Sequence, residues 1–125
     1  KNPIMGHITT FGGNPVISAC AYATLKKISS SRIMQNCIKK EKLIRSLLIH
    51  PEIKEIRGKG LMLCIILSTP KKVNKVILKA KESGLLLFWL LINKNAIRIT
   101  PPLTITNKEI IKGCNIILDI LNNKI

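Results

Sequence analysis

At 125 residues, 46% of them apolar, the chain is long enough for one packed core and too apolar for a disordered tail. Its longest apolar run, residues 85–92 (Leu-Leu-Leu-Phe-Trp-Leu-Leu-Ile), is far shorter than the roughly 20 residues a membrane helix requires, so no membrane partner is expected. The net charge of +15 comes from 17 lysines and only 4 arginines scattered along the chain, and the aromatic residues Phe11, Tyr22, Phe88 and Trp89 are too few for base stacking, so no nucleic-acid partner is expected either.

Lys, Ile and Asn together make up 50 of the 125 residues, the bias that A+T-rich codons produce, and that bias accounts for the charge. The opening Lys-Asn-Pro-Ile-Met-Gly-His shows no charged leader followed by an apolar stretch. Its lack of an initiator Met is what a segment of a longer chain would show. The cysteines at 20, 37, 64 and 114 include no Cys-x-x-Cys pair, and His7 and His50 are not spaced as zinc partners, so no metal site is expected. Each cysteine sits in an apolar pattern, which predicts buried free thiols in a reducing cytoplasm.

Residues 1–13 read as an irregular, glycine-containing lead-in. Asn14-Pro15 opens a first helix, because Asn caps well and Pro suits the first helical position. Ser29-Ser30-Ser31 ends it. A second helix is predicted over residues 32–48, with Ile33, Met34, Cys37, Ile38, Ile44, Leu47 and Leu48 on its apolar face. Glu41 falls on that stripe where the period calls for an apolar residue. His50-Pro51 stops the helix.

Residues 53–57 read as a short extended piece, 58–60 as a turn, and 61–67 as an apolar strand. Pro70 opens a third helix with Val73, Val76, Ile77 and Ala80 inward, and Gly84 closes it. Residues 85–89 and 96–99 read as two further strands, the first of them buried. Thr106 and Glu109 form a capping box that starts a last helix, with Ile110, Ile111, Cys114, Ile117, Leu118 and Leu121 inward. The order α-α-β-β-α-β-β-α predicts an α/β (α+β) fold in which helices cover one face of a small, mostly antiparallel sheet. A modest boundary falls near residues 29–31, and the first helix either belongs to a domain of its own or bridges two. Residues 1–31 and 32–125 are the expected domains.

Three segments can carry chemistry. Gly6-His-Ile-Thr-Thr-Phe-Gly-Gly-Asn-Pro15 places two hydroxyls and two glycines before a helix N-terminus, an arrangement that suits an anion as readily as a plain turn and cap. Ala96-Ile-Arg-Ile-Thr-Pro-Pro-Leu103 alternates Arg98 with apolar neighbours. Arg98 must therefore point off the apolar face or be paired, and its planar fork suits a carboxylate. Ile56-Arg-Gly-Lys-Gly-Leu-Met62 is most simply a tight hairpin turn with solvated charges.

Together, in this order, the three segments resemble the class III (fold type I) pyridoxal-phosphate aminotransferases of the acetylornithine/ornithine type. The resemblance covers nearly the whole chain. It rests on His7 to Pro15 (His-x-x-Thr-Phe-Gly-Gly-Asn-Pro), Ile56 to Met62 (Ile-Arg-Gly-x-Gly-Leu-Met) and Ile97 to Leu103 (Ile-Arg-x-x-Pro-Pro-Leu). It implies the C-terminal small domain of that fold, preceded by the end of the large domain and a linking helix. It implies that Thr10, with Thr9 as a spare hydroxyl, contacts the phosphate of pyridoxal 5'-phosphate held by the partner subunit. A homodimer follows, with Phe11, Gly12 and Gly13 shaping the loop at its interface.

The resemblance further implies that Arg98 binds the carboxylate of amino-acid and 2-oxo-acid substrates. In the family, the lysine that holds the cofactor and the aspartate that pairs with its pyridine nitrogen both lie upstream of the His-x-x-Thr element. No catalytic residue is therefore assigned within these 125 residues, and the segment alone is expected to be inactive. Ile8 departs from the small residue common after the histidine. A glutamate-semialdehyde aminomutase carries Leu-Ser-Gly-Asn-Pro where this chain has Phe11-Gly12-Gly13-Asn14-Pro15, which favours a transaminase. An inactive remnant and a free-standing basic binding module are the remaining alternatives.

Overall fold

The computed structural model describes residues 9–30 and 32–123. These form two compact units, within residues 1–34 and 35–125. The expected element order holds throughout: α1 (Pro15–Ser29), α2 (Ile33–Leu47), β1 (Glu55–Lys59), β2 (Met62–Ile66), α3 (Pro70–Glu82), β3 (Phe88–Leu90), β4 (Asn93–Ile99) and α4 (Asn107–Asn122).

In the first unit, Asn14 caps α1 as expected, its side-chain oxygen accepting from the amides of Val16 and Ile17 at 3.0 and 3.1 Å. Pro15 at the first position has no amide to satisfy. Among the described residues, none of α1 is buried, and Val16, Ile17, Tyr22 and Leu25 are all exposed.

The second unit is built on a four-stranded antiparallel sheet in the order β1-β2-β4-β3. Along β2, Leu63 and Ile65 are buried, and Leu67 just beyond it is fully buried. Their register partners Ile56, Ile97 and Ile99 lie on the same face, because side chains directly opposite across an antiparallel pair share a face. That face packs on the inward residues of three helices: Ile44 and Leu48 from α2 and its end, Val73, Val76, Ile77 and Ala80 from α3, and Ile110, Cys114, Ile117, Ile120 and Leu121 from α4. Thr106 and Glu109 make the expected reciprocal capping box at the start of α4. Gly84 follows the C-cap of α3 at φ +79, and the amide of Leu85 returns to the Ala80 carbonyl at 2.8 Å.

The structure corrects several local expectations. The β1–β2 turn is not at residues 58–60. Lys59 pairs with Met62, so the turn is Gly60-Leu61, and Gly58 lies within β1 opposite Leu63. Leu61 moves the turn because it is an apolar residue that reaches the core, only 6% exposed. The run 85–92 is not a buried strand. Only Leu87 in it is buried, while Leu86, Phe88 and Trp89 are exposed and Leu91 and Ile92 form the β3–β4 turn at 98% and 92% exposure. An edge strand and hairpin tip have one side with nothing to pack on, and composition alone does not reveal that.

Ile111 faces outward and Ile120, which was not expected inward, is buried. Only Cys64 and Cys114 are buried thiols; Cys37 is half-buried and Cys20 exposed, because its helix offers no core in its own unit.

Glu41 is explained by its partners. Its carboxylate accepts from the Gly60 amide at 2.5 Å and from Arg45 Nε at 2.9 Å. The apolar period breaks where the helix must hold a turn rather than pack on a strand.

Candidate functional site

The first candidate segment lies in the first unit. Residues 1–8, and His7 with them, are outside the described residues. Thr9 and Thr10 are exposed in a turn closed by hydrogen bonds from the Gly12 amide to the Thr9 carbonyl (3.3 Å) and from the Asn14 amide to the Phe11 carbonyl (3.1 Å). Gly13 adopts φ +76, and a side chain added there would meet nothing within 4 Å. The loop is thus open to the approach of a ligand. The leading amides of α1 are not the donors, however. Asn14 already engages Val16 and Ile17, and the Ser18 amide bonds the Asn14 carbonyl at 2.9 Å. An anion approaching this loop would meet the two threonine hydroxyls, each able to donate one hydrogen bond.

The second candidate lies on the opposite face of the sheet from the core. Register places four residues in one row across all four strands: Arg57 pairs with Cys64, Cys64 with Arg98, and Arg98 with Phe88. Arg98 is exposed and lies over the Phe88 ring, with its guanidinium carbon 5.2 Å from the ring centroid. A cation over an aromatic face is stabilised without a counter-charge, so the fork keeps its hydrogen-bonding edges. Among the described residues Arg98 has no carboxylate within ion-pair distance. The expectation that it points off the apolar face is met, and the alternative of an ion pair is not found among the described residues. A cleft lined by Arg57, Gly58, Met62, Cys64, Leu90, Arg98 and Thr100 opens over this row. It presents two guanidiniums, one thiol and apolar flanks, a surface suited to anionic groups carried on an aliphatic frame.

Sequence reading missed the supports of this face, which come from α2. Arg45 donates from Nη1 to the Ile56 carbonyl at 2.7 Å and from Nη2 to the Gly58 carbonyl at 2.9 Å, one on each side of Arg57. The hydrogen bond from the Gly60 amide, and then that from Arg45, hold the Glu41 carboxyl below its ordinary range. Lys40 donates to the Leu103 carbonyl at 2.7 Å, fastening the Pro-Pro-Leu loop that follows Arg98. The sequence signal was the Glu41–Arg45 spacing of four, a pair that faces along one side of a helix. Arg57 itself pairs with Glu55 at 2.7 Å on the exposed edge of β1. The resident partner lowers the Glu55 carboxyl in turn.

Comparison with known proteins places these features in a family context. A family model described as aminotransferase class III matches residues 2–121. An acetylornithine aminotransferase of Caldanaerobacter subterraneus is 36% identical over 121 residues, covering 93% of this chain and 30% of that protein. A 4-aminobutyrate aminotransferase of Mycobacterium leprae is 32% identical, covering 91% of this chain and 28% of that protein. Among solved structures, an acetylornithine aminotransferase from Elizabethkingia anophelis superposes with a TM-score of 0.79 at 33% identity, covering 98% of this chain and 32% of that chain. The chain therefore spans about a third or less of the length of the proteins it matches.

Proposed function

The chain belongs to the class III aminotransferase family, and on that premise we propose that it is the C-terminal part of a pyridoxal-phosphate-dependent transaminase. That enzyme moves an amino group between a diamino acid such as acetylornithine or ornithine and a 2-oxo acid such as 2-oxoglutarate, in cytoplasmic amino-acid (arginine) biosynthesis. Residues 1–31 close the large domain and residues 32–125 form the small one. The observation that carries this reading is Arg98, an exposed guanidinium set in Ile-Arg-Ile-Thr-Pro-Pro-Leu, supported by a ring rather than by a carboxylate.

Arg98 binds the substrate carboxylate. Every substrate of both half-reactions carries a carboxylate, the group that a bidentate guanidinium contact suits. The hydroxyls of Thr9 and Thr10 and the open loop at Gly13 fit a phosphate ester, and Thr10 would hold the cofactor phosphate of the partner subunit in a homodimer. Bound pyridoxal phosphate supplies the electron sink for amino-group transfer. The residues of this chain bind and orient; the lysine that moves the proton lies elsewhere in the enzyme.

A chimera tests the reading. The chain replaces the C-terminal segment of the Caldanaerobacter enzyme, and transamination of acetylornithine is measured. Activity is expected, with Arg98→Lys raising the KM for both substrates at least tenfold and Thr10→Val weakening retention of the cofactor. A chimera that dimerises and takes up the cofactor, yet shows no effect of Arg98→Lys on either KM, would refute the proposal.

A further inference from the structure

The apolar tip of the β3–β4 hairpin belongs to neither candidate segment. Leu91 and Ile92 form its turn and are almost fully exposed, so both side chains stand clear of the protein surface. Two residues before the turn is Trp89, the only tryptophan in the chain. Its indole Nε1 donates to Asn74 Oδ1 at 2.6 Å, which holds the ring against α3 with about half of its surface free. The length of the 85–92 run argues against a spanning helix, not against a surface contact.

Composition bias sets how many lysines the chain has, not where the fold puts them. The Leu67 amide, just past β2, bonds the Asn95 carbonyl at 2.9 Å, and α3 begins three residues later at Pro70. The first turns of α3 therefore lie at the same end of the sheet as the Leu91-Ile92 turn. Lys71 and Lys75 are exposed there, on the helix stripe that carries Asn74, and Lys94 is exposed two residues beyond Ile92. Among the described residues none of these three has a carboxylate within ion-pair distance, whereas Lys72 pairs with Glu52. Glu82 is the only acidic residue between Glu55 and Glu109. It stands at the far end of α3, roughly 16 Å along the helix from Lys71.

We propose that the β3–β4 tip docks the protein on an anionic lipid surface. Leu91 and Ile92 enter the acyl boundary, Trp89 lies at headgroup level, and Lys71, Lys75 and Lys94 face anionic headgroups. Projecting side chains give a protein partner no flat face to match, but a bilayer deforms around them. The ring of unpaired cations selects negative lipid and repels a second copy of this basic chain. The contact is shallow: among the described residues no helix is long and apolar enough to cross a bilayer. A short apolar tip holds weakly by itself, so both the apolar and the charged signal are needed.

The test uses the 125-residue chain and vesicles of phosphatidylcholine, with and without about one-third phosphatidylserine. Trp89 reports directly. With the anionic vesicles its emission is expected to shift to the blue and to be quenched by brominated acyl chains. Co-sedimentation should fall roughly tenfold or more without phosphatidylserine, or in about 0.5 M salt. Leu91→Asn with Ile92→Gly, a pair that suits a two-residue hairpin turn, should abolish the blue shift without lowering the melting temperature. Lys71→Gln with Lys75→Gln should weaken partitioning roughly tenfold. Equal binding to neutral vesicles, unchanged partitioning of the lysine variant, or binding that survives the change at Leu91 and Ile92 would overturn the proposal. So would a blue shift of the protein alone at the assay concentration, which would assign the tip to a second copy. Loss of binding in the chimera described above would overturn it too, by showing that the rest of the enzyme covers the tip.

Discussion

Glu41 and Arg45 stand one turn apart on α2, paired at 2.9 Å, and between them they hold three main-chain groups of the β1–β2 hairpin. The pair does two jobs that the apolar core does not. It satisfies carbonyls on the outer edge of β1, an edge that would otherwise be open to another strand. It also fixes the backbone on either side of Arg57.

Arg45→Met is therefore expected to destabilise the second unit by about 2–3 kcal/mol, because a charge-assisted network loses its cation and leaves Glu41 half-buried and under-partnered. Arg45→Lys should recover only part of the loss, since an ammonium cannot fork to two carbonyls and a carboxylate with the same geometry. Urea unfolding followed by circular dichroism measures both; equal stability of all three proteins would show the network to be inert.

Acid should act through the same pair. The Glu41 carboxyl lies below its ordinary value of 4.5, chiefly because of the Gly60 amide and then Arg45. Glu52 (through Lys72), Glu55 (through Arg57) and Glu109 (through Thr106) are lowered as well. A carboxyl more acidic in the folded chain than in the unfolded one binds fewer protons when folded. Its stabilisation is fully present above the unfolded value and is lost as pH falls through the folded one. Stability should thus be flat above about pH 5.5 and decline below about 4.5, less steeply in Glu41→Gln. A decline of the same slope in that variant would remove Glu41 from the account.

Two glycines with positive φ should respond differently to alanine. At Gly84, φ +79, the added methyl meets nothing within 4 Å, so only the left-handed backbone is penalised, by about 1 kcal/mol. At Gly58, φ +111, the methyl would run into the main chain of Met62 and Leu63, and the cost should be about 3 kcal/mol or more, with β1–β2 pairing disturbed. Thermal melts of the two variants decide it, and similar costs would mean the hairpin relaxes freely.

The Leu91-Ile92 turn exposes two large apolar residues where hairpins favour Asn-Gly. Replacing the pair with Asn-Gly should leave the melting temperature unchanged or higher and should raise the concentration at which the chain begins to self-associate in light scattering. A lower melting temperature would show that the two side chains contribute contacts of their own.

Thiol chemistry should follow burial. Desolvation pushes the Cys114 thiol up to about 11, and its side chain lies in the core beside Ile110 and Ile117. At pH 8 its thiolate is then a fraction on the order of one in a thousand, so iodoacetamide should reach exposed Cys20 first and Cys114 last. Mass spectrometry of a time course gives the order; early labelling of Cys114 would mean that α4 opens readily.

Element order, both Pro-led helices, the Thr106–Glu109 box and most core positions were legible in the sequence, because each depends on neighbours within a turn or two. Arg98 was legible for the same reason: alternation on a strand puts it off the apolar face without knowledge of what lies across. Arg57–Cys64–Arg98–Phe88 was not, since a row across four strands depends on register, and register was set here by a turn displaced to Gly60-Leu61. Nor could composition say which apolar residues of 85–92 would be left outside. Local patterns report a residue's own backbone geometry, whereas the partner that completes a site or buries a side chain is supplied by segments tens of residues away, as Arg45 reaches β1 and Lys40 reaches Leu103, and only the folded chain brings them together.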